Sequence, residues 1–225
     1  MKKYLKMPWA VRLATLFAMI PALFLGGCGQ QTECEKSIDT AMGTVISQTV
    51  YVTGNSPAAT DGKTDEKVTD VVLQKLNDLE QQELSWRLDS AEVAKINAAA
   101  GKGQIQVSTA MAGWLERCLQ ISEQTGGAFD VSIGKLSRLW DIDTWAAADD
   151  QQDYELPGRE EIEQALASAG WQQMILEQRT DSMAVSIPAG MQIDLGAVGK
   201  GVALDEIRKT LEEHPKVSGA VISVG

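Results

Sequence analysis

Apolar positions recur along this chain with two periods, and each switch of period marks a change of element. Val68, Val71, Val72, Leu76 and Leu79 fall three and four residues apart and predict a long amphipathic helix with acidic residues at its far end. Met111, Leu115, Cys118, Leu119 and Ser122 line one face of a second helix, which Ser108 is placed to cap and Thr125-Gly126-Gly127 ends. Shorter helices are predicted from a Ser90 cap to Asn97, around Leu136, Leu139 and Trp140, and from Pro157 to Gly170 with Ile162 and Leu166 facing inward. A last helix covers residues 198–213. Short apolar runs predict strands near residues 41–52 and at 105–107, 174–176, 184–187, 191–195 and 217–224. Residues 53–63 and the acidic stretch 141–155 read as loops. Helices alternate with short antiparallel-looking strands, without regular βαβ spacing. The fold class is therefore α+β, a single domain of helices packed on a mostly antiparallel sheet.

The N-terminal residues follow a different pattern. Lys2, Lys3, Lys6 and Arg12 precede an apolar run over 13–25, which ends in Leu25-Gly26-Gly27-Cys28. This resembles a bacterial lipoprotein signal. Residues 1–27 are expected to be removed, with a palmitate-type lipid on Cys28, a polar tether over 28–40 and the domain over 41–225. The protein is then expected to face outside the cytoplasm, anchored to the membrane without spanning it.

Composition narrows the chemistry. The chain is 44% hydrophobic and 23% charged, in the globular range. A net charge of −11 excludes a nucleic-acid backbone as partner. One histidine, His214, rules out a multi-histidine metal site. Cys118 falls in an apolar helical pattern and reads as a buried small side chain, Cys34 lies in the tether, and no disulfide framework is implied.

Candidate chemistry gathers in Met191-Gln-Ile-Asp-Leu-Gly-Ala-Val-Gly-Lys-Gly-Val-Ala-Leu-Asp205. It reads as a strand, a glycine-rich turn and a helix start, with Lys200 near the helix N-terminus and Asp194 beside the turn. A cation there opposes the helix dipole, and an anion held by the turn amides would remove the conflict. The glycine spacing fits neither a Walker A loop nor a dinucleotide fingerprint. The local pattern is compatible with an anion site and with a plain strand–turn–helix corner. Asp130, after Thr125-Gly-Gly-Ala-Phe, reads locally as a cap beside a packed Phe129.

Taken in order, five stretches resemble the FAD:protein FMN transferases, the ApbE family. They are Met42-Gly-Thr; Leu84-Ser-Trp-Arg-Leu-Asp-Ser90 with Asn97; Thr125-Gly-Gly-Ala-Phe-Asp130 with Leu139-Trp140; Asp194-Leu-Gly-Ala-Val-Gly-Lys-Gly201 with Asp205; and Ala220-Val-Ile-Ser-Val-Gly225. The resemblance implies a T-fold-related domain that binds FAD and Mg2+. It implies transfer of FMN to a Thr or Ser hydroxyl of an exported redox protein, with release of AMP. Met42, Trp86, Ala128, Phe129, Asp130, Asp194 and Lys200 would contact FAD, with Asp194 and Lys200 in the catalytic machinery, and Ala197 would meet the metal through its backbone oxygen. The family pattern runs on past residue 225, so the chain is similar to the N-terminal two-thirds of a member. Two other activities fit the same residues, a FAD pyrophosphatase giving FMN and AMP and an exported flavin-binding lipoprotein without catalysis.

Overall fold

Two long strands, β1 (Thr32–Ala41) and β2 (Thr44–Thr53), form a hairpin through the turn Met42-Gly43, with Ala41 opposite Thr44 and Thr32 opposite Thr53. Both turn residues have positive φ, 52° and 67°, as a two-residue hairpin turn requires. A left-handed methionine is unfavourable by about 1–2 kcal/mol, so surrounding contacts must hold it. The computed structural model describes residues 32–53, 66–147 and 155–225. Cys28, the targeting segment and most of the loop after Thr53 lie outside them.

β6 (Val217–Val224) pairs antiparallel with β2, Ile46 opposite Val224, and completes a sheet of order β1-β2-β6. A second antiparallel sheet has order β3-β5-β4, built from Ile105–Val107, Met183–Ser186 and Ile175–Gln178. The helices, in chain order, are α1 (Val68–Asp78), α2 (Glu92–Ala98), α3 (Thr109–Gln124), α4 (Gly134–Trp140), α5 (Ile142–Ala147), α6 (Arg159–Leu166) and α7 (Gly196–Glu213). Ile46 and Val50 of β2, Val72 and Leu76 of α1, Met111 and Leu115 of α3 and Ala203 and Ile207 of α7 belong to one continuous core. Each fully buried aliphatic side chain there contributes roughly 1.5–3 kcal/mol. Cys118 lies in the same core, where burial pushes its thiol up to about 11.

Several expectations change. The tether expected over 28–40 is instead strand β1 from Thr32 onward. Three of its inward positions, Glu35, Ser37 and Asp39, are polar, which conceals the period-2 pattern, and the two carboxylates find partners: Glu35 Oε2 accepts from Thr69 N at 3.2 Å and Asp39 Oδ2 from Gln48 Nε2 at 3.4 Å. Ser90 does not cap α2; Ala91 is its N-cap, and Ser90 Oγ donates to the Gln81 carbonyl at 2.6 Å. Residues 191–195 form no strand, only a parallel bridge from Gln192 to Ile133. Their backbone groups go to a loop and a side chain instead: Gly134 N donates to Gln192 O at 2.8 Å and Asp194 N to Val131 O at 2.8 Å. A Cβ at Gly134 would lie 2.7 Å from that Gln192 oxygen, so only glycine allows the approach. Leu166 of α6 stays 45% exposed rather than facing inward. Ser108 caps α3 as read, accepting from Met111 N at 3.0 Å.

Candidate functional site

The hairpin turn, the end of α1, α4 and the start of α7 converge on a cleft of about 380 Å³. α1 does not stop at Asp78; it widens into a π-helical stretch, Leu79–Leu84, followed by Ser85 in extended conformation. Such wide turns re-aim side chains and recur at functional sites. Here the stretch directs Glu80 and Leu84, and after them Ser85, Trp86 and Arg87, into the cleft. Glu80 Oε2 accepts the Met42 amide hydrogen at 2.9 Å, which ties down the left-handed turn residue.

The opposite wall is the start of α7. Asp194 Oδ1 accepts from Gly196 N at 2.8 Å and so begins the helix two residues earlier than expected, at Gly196. Ahead of it, the buried Asn97 of α2 grips Ile193 from both sides: Ile193 N donates to Asn97 Oδ1 at 2.7 Å, and Asn97 Nδ2 donates to Ile193 O at 3.0 Å. Gly199 is buried facing the cleft, and a Cβ there would meet Met42 Cε at 3.8 Å and Leu84 Cδ1 at 3.9 Å. Lys200 follows within the helix, its Nζ held over Gly225 so closely that a side chain at Gly225 would collide with it. Gly225 itself is pinned by its amide to Val45 O at 3.0 Å.

Met42, Trp86, Asp194 and Lys200 thus surround one cleft. Ala128, Phe129, Asp130 and Ala197 are not in its lining. Asp130 Oδ1 accepts from Ser132 N at 2.8 Å and Ser132 Oγ at 2.7 Å, and its Oδ2 accepts from Trp171 N at 3.2 Å. It fastens its loop to the turn before β4. Ala197 is exposed on the first turn of α7. The cleft also contains residues that the sequence reading did not single out: Glu80, Ser85, Arg87, Ser137, Trp140 and Ile142. Arg87 and Trp140 stood inside the quoted motifs; Glu80 and Ser137 carried no local signal.

Trp86 carries two cations on its indole. Arg87 Cζ lies 3.9 Å and Arg138 Cζ 4.6 Å from the ring centroid. With Lys200 they place three cations in this region, beside the carboxylates of Glu80, Asp89 and Asp194.

Metal chemistry is limited by the donors. Among the described residues no group of three His, Cys, Asp or Glu side chains converges. Asp194 Oδ2 accepts no hydrogen bond from the described residues, Oδ1 being engaged by Gly196. One carboxylate oxygen suits Mg2+, which takes one or two carboxylates and completes its shell with water and phosphate oxygens. It does not suit a structural zinc.

Glu83, on the π-helical stretch, keeps Oε2 buried without a partner among the described residues. Burial pushes its carboxyl above the ordinary 4.5; Lys75 opposes the shift, and Glu92 and Glu206 add to it. A raised folded-state pKa gives stability that is present below the unfolded value and lost as pH rises through the folded one. Glu83→Gln is therefore expected to raise the urea midpoint near pH 7, with the advantage over the unmodified chain vanishing near pH 4. An equal difference at both pH values would refute this.

Comparison with known proteins places these features in context. The sequence model of the ApbE family matches residues 42–225. A FAD:protein FMN transferase of Treponema pallidum (strain Nichols) is 33% identical over 156 residues, 65% of this chain and 40% of that protein. One from Escherichia coli (strain K12) is 27% identical over 217 residues, 95% of this chain and 59% of that protein. The crystal structure of the ApbE protein from Thermotoga maritima MSB8 superposes with a TM-score of 0.66 at 25% identity, over 86% of this chain and 57% of its own. The flavin transferase ApbE from Vibrio cholerae gives 0.67 at 22% identity, over 87% and 58%, a likeness of fold. The chain therefore spans between two-fifths and three-fifths of the length of these relatives.

Proposed function

The chain belongs to the ApbE family, and from that membership and its cleft we propose that it acts in transferring FMN from FAD to a target protein. The observation that carries the reading is the convergence of Met42, Trp86, Asp194 and Lys200 on one cleft from three separate parts of the chain. Apolar and aromatic walls from Met42, Leu84, Trp86 and Trp140 suit a planar ring system, and Lys200 and Arg87 suit its phosphates.

In the proposed reaction a Thr or Ser hydroxyl oxygen of the acceptor attacks the phosphorus of the FMN half. A new phosphorus–oxygen bond forms, the bond to AMP breaks, and AMP leaves with the electron pair. The hydroxyl proton passes to a carboxylate, for which Asp194 is the candidate. Lys200 and Arg87 face the charge that develops on the phosphate oxygens. Mg2+, when bound, would neutralise part of that charge, with the Ala197 carbonyl as the donor that family resemblance suggests and Asp194 Oδ2 left to take the proton. We place the acceptor among exported redox proteins and the chain at the membrane through a lipid on Cys28. No helix among the described residues is long and apolar enough to cross a membrane.

The test is mass spectrometry of a Thr-bearing acceptor peptide incubated with the chain, FAD and Mg2+. An FMN-sized gain on the peptide with stoichiometric AMP is the expected result. AMP without the adduct would replace the transferase with a FAD pyrophosphatase, and bound but intact FAD would leave a flavin-binding protein.

A further inference from the structure

Trp86 stands between two compartments. One is the cleft of about 380 Å³ already described; the other, about 490 Å³, opens beside Arg87, Asp89, Asn97, Arg138 and Gln192. Trp86 and Arg87 line both. Small-molecule sites occupy roughly 300–1,000 Å³, and a ligand with two ring systems and a diphosphate lies towards the upper end. Neither compartment alone matches such a ligand well, while the two joined at Trp86 do.

The same α4 helix serves both sides: Ser137 and Trp140 line the first compartment and Arg138 the second. Arg87 follows Trp86 directly in the chain, so the backbone fixes its place near the ring. Arg138 reaches the ring from a different element. It is exposed, and its hydrogen bond from Nη2 to the Trp86 carbonyl is long, at 3.4 Å. A guanidinium so weakly held is readily exchanged. Stacking of an aromatic ligand ring on an indole is a stronger interaction than an exposed guanidinium–indole contact. Once displaced, a guanidinium finds its best alternative in a phosphate, which its planar fork matches with two parallel hydrogen bonds. The second compartment offers one counter-charge among its lining residues, Asp89, against two arginines.

We propose that Arg138 is a specificity-determining residue: its guanidinium covers Trp86 in the free protein and moves onto a phosphate of the dinucleotide when the ligand's ring takes the indole. The inference rests on the flavin reading of the cleft and adds to it the selection of phosphorylated over phosphate-free flavins. Arg138 is exposed on α4, so its replacement is expected to leave the fold intact.

The experiment compares the chain with its Arg138→Gln and Arg138→Lys variants, titrating FAD and riboflavin and following flavin fluorescence. Arg138→Gln is expected to weaken FAD binding about tenfold and to leave riboflavin within about twofold, with Arg138→Lys recovering part of the loss. The salt dependence of FAD binding falls in Arg138→Gln as one charge contact is lost. Equal weakening of both ligands, or no change for FAD, overturns the role of Arg138 while the flavin reading stands. Absence of FAD binding by the unmodified chain overturns the flavin reading and this inference together.

Discussion

Replacing Asn97 by alanine is expected to lower folding stability by about 3 kcal/mol and to abolish tight flavin binding with it. Asn97 is buried and makes two hydrogen bonds, both to the backbone of Ile193. Ile193 is itself fully buried, and residues 191–195 have no strand partner to replace a lost bond. Truncation would leave one backbone donor and one acceptor in the interior, each unfavourable by roughly 1–3 kcal/mol. For a chain of this size the loss corresponds to a fall in melting temperature of about 10 °C. The functional effect follows from position: Asp194 is the next residue, and its amide and carboxylate together set where α7 begins. Asn97→Asp would keep the acceptor for Ile193 N–H but face a second oxygen against the Ile193 carbonyl, so it is expected to be no better than alanine. Urea denaturation with FAD titration tests both points. A loss below about 1 kcal/mol with unchanged flavin affinity would show that water replaces the side chain and that Ile193 needs no clamp.

The dependence on Asn97 explains what could be read from the sequence and what could not. Periodicity is local, so elements with an apolar face were legible: α1, α3, β3 and the closing strand β6 lie where their patterns put them. β1 was not, because its inward side chains include Glu35, Ser37 and Asp39, and the partners of the two carboxylates lie elsewhere in the chain. The glycine-rich turn revealed Asp194 and Lys200 because close backbone approach and charge are visible in residue type alone. Glu80 and Arg138 act on Met42 and Trp86, 38 and 52 residues away, through contacts that only the assembled fold creates. The stretch 191–195 looked like a strand because it is apolar, although its hydrogen bonds go to Asn97 and to residues 131–134. Side-chain clamps of that kind leave no period to detect.

Lys200→Met is expected to reduce FMN transfer about 100-fold, in the range seen when a preorganised stabiliser of developing charge is removed. Lys200 and Arg87 are the cations among the described residues lining the cleft, and Arg87 also contacts Trp86. The Lys200 stem leaves α7 one residue after the buried Gly199, and its ammonium is steered over the end of β6 by the close approach of Gly225. Methionine keeps most of the apolar stem of lysine and removes the ammonium, so the stem stays beside Gly225 while the charge is lost. If Lys200 acts on charge that grows as AMP departs, the rate falls much more than FAD affinity, because binding energy shared by ground and transition states does not accelerate the step. Lys200→Arg keeps the charge but broadens the head group against Gly225, and an intermediate rate is expected. Initial rates of adduct formation at saturating FAD, with Kd values measured separately, make the distinction. A rate within about twofold of the unmodified chain would remove Lys200 from the chemistry. A loss confined to FAD affinity would make it a binding residue alone.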